Sequence, residues 1–247
     1  MTEGLRLRAA GVQLIALAAL VVLAGVARAQ MPLGQLYSLK AAASFAVIAT
    51  LVVVFINAGT HPFQQFGQAN QVTTARAVFV ALVVGAIGGP ATAAVAAGAA
   101  SASVAVTAMD AVDGWMARRS RMASPFGARF DMEIDALLIL ALAILTWQQG
   151  KAGAWVLLSG LLRYLFVAAG WLLPRMRQRL PDSRRRQAIC VIQVVALIVA
   201  LEPFVAPAAS ELIAVAALAA LAYSFAVDTM WLVSDRRVAA PDVVSVG

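Results

Sequence analysis

Apolar runs of about 18 or more residues recur along this chain, at about 10–28, 40–58, 71–88, 91–113, 128–148, 153–173, 188–205 and 210–233. A run of that length, coiled as a helix, crosses a bilayer core of roughly 30 Å. It also satisfies its own backbone hydrogen bonds, which an isolated strand or loop in lipid cannot do. With 62 % of residues hydrophobic and 13 % charged, the composition is not that of a water-soluble globule. The expected fold class is all-α, a polytopic transmembrane helix bundle.

The first run leaves two readings. Arg6 and Arg8, a long apolar stretch and Ala27-Arg28-Ala29 resemble a signal peptide with a small-residue cleavage site. The run is longer than a typical signal core, which favours a retained first helix, and the later topology is the same either way. The single Cys190 rules out an intrachain disulfide, and the single His61 rules out a histidine metal cluster, so a metal here is held by oxygen. The net charge of +7 follows the loops rather than forming a nucleic-acid footprint. When loops are assigned alternately to two sides, fifteen of the 19 Lys and Arg residues fall on one side. Only Arg28, Lys40 and Lys151 fall on the other, and Arg163 lies within a span. The basic side is therefore cytoplasmic.

On that side the chain carries acids where lipid disfavours them. Asp110 and Asp113 stand three apart at the end of one apolar run, and Asp131 and Asp135 four apart at the start of the next. Both spacings put a pair on one helix face. From Ala91 to Asp110 is roughly 30 Å of helix, so the first pair sits near the far edge of the hydrocarbon. The returning helix, beginning near Gly127, brings the second pair to the same end. Four neighbouring aspartates cannot all stay ionised without compensation. Arg118 and Arg129 offset part of the charge. Two divalent cations offset all of it, and carboxylate ligands with phosphate substrates favour Mg²⁺ or Mn²⁺. Such ions can clamp a transferring phosphoryl group. Gly114, Ala117 and Gly127 leave room for a ligand between the helices. An ion-pair or proton-relay cluster in a carrier is the competing account, and it leaves those small residues unexplained.

Read as a pattern, Asp110-x2-Asp113-Gly114-x2-Ala117-Arg118-x8-Gly127-x3-Asp131-x3-Asp135 resembles the signature of the CDP-alcohol phosphotransferase (CDP-alcohol phosphatidyltransferase) family. Asn70-x-Val72-Thr73-x-x-Arg76 resembles the segment that precedes it, although alone it reads as helix-capping side chains and an interfacial anchor. The resemblance implies a six-helix catalytic core over 70–235. Residues 1–69 would form an added transmembrane hairpin and interfacial segment, and 236–247 a cytoplasmic tail. It implies that Asp110, Asp113, Asp131 and Asp135 coordinate two metal ions, with Asp135 also the general base. Gly114, Ala117, Arg118 and Gly127 would line the CDP site, with Asn70, Thr73 and Arg76 nearby. The acceptor oxygen would attack the β-phosphorus and CMP would leave. A homodimer in a bacterial-type inner membrane is the implied setting.

The acceptor is less legible. Arg163, inside a span, either pairs with a carboxylate such as Asp135 or Asp228 or grips a phosphate on the acceptor. Arg186 and Gln193, seven apart on one face, reach toward the pocket. The arginines of 175–186 also suit anionic lipid heads. Guanidinium groups around the pocket favour a polyol phosphate, such as glycerol 3-phosphate or an inositol phosphate, with CDP-diacylglycerol as donor. Trp115, Tyr164 and Trp171 leave an aromatic cage for choline open. His61, in the polar segment 59–69, reads as an interface residue rather than a base. The small residues of 91–107 suggest a helix at the centre of the bundle.

Overall fold

A computed structural model describes residues 2–120, 122–173 and 183–234, with side chains given for all of these except 2, 111–120, 172 and 233. The described residues form α1 (Thr2–Gln30), α2 (Tyr37–Phe55), α3 (Gln68–Gly85), α4 (Ala93–Ser120), α5 (Pro125–Gln148), α6 (Leu158–Leu172), α7 (Arg184–Leu201) and α8 (Pro207–Ser234). A short 3-10 turn, Ala154–Leu157, leads into α6. Each helix lies on one of the eight apolar runs, and no strand occurs among the described residues. The fold is an all-α polytopic membrane bundle.

Helices α1, α2, α4 and α8, and the stretch Ala154–Trp171 that contains α6, are long and apolar enough to cross a membrane by length and composition. Helices α3, α5 and α7 are excluded by the polar and charged residues they carry, and these three pack toward the interior. Helix α3 contacts α1, α2, α4 and α5, and α5 contacts α3, α6 and α7. Buried positions almost encircle α3, from Asn70 to Gly85. The centre of the bundle is thus α3 with α5, not the small-residue helix α4 expected there. Over its described side chains, 93–110, helix α4 buries the stripe Val95, Ala96, Ala99, Ala100, Ser103 and Val106. Its small residues do permit the close approach, since a side chain at Gly98 would come within 2.6 Å of Met31 Sδ.

Helix α3 begins earlier than its capping residues suggested. Its N-cap is Gly67, at φ 84°, a conformation that favours glycine, and no side chain caps the helix. Asn70 lies inside the first turn, where its Nδ2 donates to the Phe66 carbonyl at 2.5 Å. Helix α5 is capped in the usual way, with Pro125 in its first turn and Ser124 Oγ accepting from Gly127 N at 3.1 Å.

The two ends of the bundle differ. Away from the acids, long polar side chains tie the loops. Gln148 Oε1 accepts from Gly88 N at 2.6 Å while its Nε2 donates to Gly89 O at 3.0 Å. Lys40 Nζ donates to Ile87 O, and Lys151 Nζ donates to Glu202 O at 3.0 Å and to Val205 O. At the acid end, Arg6 reaches from α1 to the carbonyls of Val54 and Ile56 at the close of α2.

Candidate active site

Two helices deliver one carboxylate set. Asp110 comes from α4, one turn before Asp113, while Asp131 and Asp135 come from successive turns of α5. Each of Asp110, Asp131 and Asp135 offers an oxygen, and these oxygens lie within 4.8 Å of one another. The side chains keep 38 %, 36 % and 26 % of their surface open, so the group is accessible from outside the bundle.

Arg76 sits at the centre of this set. It projects from α3 and is 1 % exposed. Its Nη1 donates to Asp110 Oδ1 at 2.9 Å and also to Asp131 Oδ1, and its Nη2 donates to Asp135 Oδ1. The sequence reading placed Arg76 beside the nucleotide and looked to Arg118 and Arg129 for counter-charge. Among the described residues, a guanidinium that meets the acids is that of Arg76; the Arg118 side chain lies outside the described set. The sequence did carry a signal for this. Asn70, Thr73, Thr74 and Arg76 give α3 a polar side that an outer helix would not bury.

Gly127 is where α5 meets α3. A side chain there would lie 2.8 Å from Asn70 Oδ1 and 3.3 Å from Ser124 Oγ. Thr73 Oγ1 donates to Ala69 O at 3.1 Å and Thr74 Oγ1 to Asn70 O at 2.9 Å. Gln13 of α1 then donates to Thr74 Oγ1 at 3.1 Å, which joins the N-terminal hairpin to the same helix. Gly114, Ala117 and Arg118 follow on α4 in the turns after Asp110, and Asp113 lies between them. The side chains of all four fall outside the described set.

His61 is buried within the protein, in the loop before α3. It is 1 % exposed, against Phe63 and Phe126. Its Nε2 faces the Gln65 carbonyl at 2.8 Å, so that nitrogen carries the proton. Its Nδ1 therefore accepts from Ser124 Oγ at 2.8 Å. Ser124 in turn accepts from Gly127 N, and Phe126 N donates to Thr60 O at 3.1 Å. The loop before α3 is thereby fastened to the start of α5. This link was missed because it joins residues more than sixty positions apart.

Arg163 pairs with neither of the carboxylates considered for it. Its Nη2 donates to Glu133 Oε1 at 2.6 Å, and its Nη1 lies 2.9 Å from Met132 Sδ. On a helix Glu133 is two residues from Asp135 and so points to a different side. Asp228 of α8, 6 % exposed, instead accepts from Arg185 and, at 3.4 Å, from Arg186. Arg175, Arg177 and Arg179 lie outside the described residues, as does the tail 236–247.

The donor set fits a hard divalent ion. It is all oxygen, comes from three rigid helical positions, and is close enough for several oxygens to reach one cation. A model of the CDP-alcohol phosphatidyltransferase family matches residues 66–227, about two-thirds of the chain. The chain belongs to that family. No curated protein and no solved structure matches significantly. As a CDP-alcohol phosphatidyltransferase family member it is an integral membrane transferase of phospholipid metabolism, acting on a CDP-alcohol. The matched segment holds all eight residues of the Asp110–Asp135 pattern.

Proposed function

We propose that the protein moves the phosphatidyl group of CDP-diacylglycerol to a hydroxyl of a small polyol phosphate, such as glycerol 3-phosphate or an inositol phosphate, releasing CMP. The observation that carries the reading is the convergence of Asp110, Asp131 and Asp135 within 4.8 Å at one end of the bundle, inside the segment the family matches. In this reading Asp110, Asp113, Asp131 and Asp135 hold two Mg²⁺ or Mn²⁺ ions, which supply positive charge to a bound diphosphate and to the oxygens released from it. Asp135 takes the proton of the acceptor hydroxyl as its oxygen bonds to the β-phosphorus. The bond from that phosphorus to the bridging oxygen breaks, and the oxygen leaves as part of CMP. Asn70, Thr73, Arg76, Gly114, Ala117, Arg118 and Gly127 line the CDP side. Arg76 is within reach of both the carboxylates it holds and an anion between them.

The acceptor side lies along α7. Arg186, which faces Asp228, is the group for an acceptor phosphate, and Arg163 would join it only on leaving Glu133. The arginines favour a phosphorylated acceptor over choline; Tyr164 and Trp171 are 39 % and 74 % exposed, and the Trp115 side chain lies outside the described residues. Residues 70–235 act as the catalytic core, with 1–69 as a packing hairpin and 236–247 as a tail. The excess of basic residues on the acid side supports a site facing the cytoplasm of a bacterial-type inner membrane. A homodimer is the proposed assembly.

The test uses purified protein, Mg²⁺, labelled CDP-diacylglycerol and a panel of acceptors. CMP release with glycerol 3-phosphate or inositol phosphate, but not with serine or choline, is the expected result. Release with serine or choline alone would replace this reading with an amino-alcohol transferase. No release with any acceptor, together with solute uptake into vesicles, would mean a carrier.

A further inference from the structure

Gln193 of α7 is 0 % exposed, and neither its Oε1 nor its Nε2 has a hydrogen-bond partner among the described residues. An amide buried without partners is costly, more so in a membrane bundle where the alternative to pairing is hydrocarbon. Packing alone would be served better by leucine or methionine. Among the described residues nothing serves either end of that amide, which leaves both ends open to a partner that arrives with a ligand.

Its place in the fold says which ligand. Gln193 lies nine residues into α7, Asp135 ten into α5, Asp110 ten from the end of α4 and Arg76 eight into α3. At 1.5 Å per residue all four lie about 12–15 Å from the acid-side ends of their helices. Helix α7 packs on α5 and α4, the two helices that bear the aspartates. Arg186, two turns nearer the mouth on the same face, pairs with Asp228. Helix α7 thus carries a cation at the entrance and an amide at the depth of the acids.

We infer that Gln193 is a specificity-determining residue, whose amide pairs with a second hydroxyl of the acceptor, next to the one that reacts. This rests on the proposed polyol-phosphate reading and adds to it the part of the acceptor that is recognised. A hydroxyl both donates and accepts, which matches the two orphaned atoms of one amide. A cation or a bare alkyl group would leave at least one of them unpaired. With its phosphate at the arginines of the mouth and its reacting hydroxyl at Asp135, a polyol places the neighbouring hydroxyl at the α7 wall.

The test compares wild type with Gln193→Leu and Gln193→Met in two assays. The first is thermal unfolding in detergent without substrates. Removing an unpaired amide should leave the midpoint unchanged or raise it, whereas a structural hydrogen-bonding role would lower it. The second is CMP release with the polyol phosphate that wild type uses and with its deoxy analogue lacking the neighbouring hydroxyl. The variants should show KM for the polyol phosphate raised about tenfold, with KM for CDP-diacylglycerol and turnover of the deoxy analogue unchanged. Equal loss with both acceptors, undiminished preference for the polyol, or a lowered midpoint in both variants would overturn the inference. Failure of the wild type to release CMP with any polyol phosphate would overturn the underlying reading as well, and would be seen before any variant is compared.

Discussion

Replacing Arg76 by methionine tests whether the three aspartates form one electrostatic unit. Methionine keeps most of the buried volume and removes the charge shared by Asp110, Asp131 and Asp135. Removing one partner of a buried ion pair costs about 3–5 kcal/mol. Asp110 and Asp131 keep more than a third of their side-chain surface open, and solvent there screens part of the repulsion. The lower end, about 3 kcal/mol, is therefore the expected loss in metal-free protein. For a chain of this size each kcal/mol moves the unfolding midpoint by about 2–4 °C. In EDTA, Arg76→Met should then melt about 6–12 °C below wild type. Mg²⁺ should restore much of the difference, because an ion present at about 100 times its Kd stabilises the folded state by about 2.7 kcal/mol. The assay is circular dichroism against temperature in detergent, with EDTA or Mg²⁺. Equal midpoints in EDTA, or a Mg²⁺ response no larger in the variant than in wild type, would refute the reasoning.

Three further outcomes are expected. Asp131→Asn should abolish CMP release, to below about one part in a hundred of wild type by analogy with loss of a charge-stabilising group. The protein should still insert and elute as a folded species, and retained activity would argue against metal ligation at Asp131. Gly127→Ala should destabilise by about 1–3 kcal/mol, because its Cβ would come within 2.8 Å of an Asn70 amide already held by the Phe66 carbonyl. Unfolding midpoints measure this, and Gly127→Ala with Asn70→Ala should recover part of the loss. Ser124→Ala removes a helix cap and the hydroxyl that His61 accepts from, and should cost about 1 kcal/mol or somewhat more. Adding His61→Ala to it should cost less than the sum of the two single changes, since both break the same chain of hydrogen bonds.

The helices were legible because lipid imposes one rule, that a span must be long and must close its own backbone bonds. Every apolar run therefore became a helix. The acids were legible because Asp110 and Asp131 head toward each other along consecutive spans, so their meeting follows from connectivity alone. Less legible was anything decided by rotation about a helix axis or by contact between distant spans. Arg76 looked like an anchor at a helix start because nothing in α3 itself says that its guanidinium faces both α4 and α5. For Arg163 the sequence offered Asp135 and Asp228, and the packing of α6 on α5 pairs it with Glu133 instead. The small residues of α4 promised closeness but not centrality, and α3 took the central place because its polar side needed burial more.

Gln148, Lys40 and Lys151 tie the loops together at the end away from the acids. With the acids gathered at the opposite end, the donor and the lipid product would meet the site from that one leaflet. Under the proposed reaction, all new lipid would be deposited on one face of the membrane. Populating the other face would then fall to a separate protein that flips it.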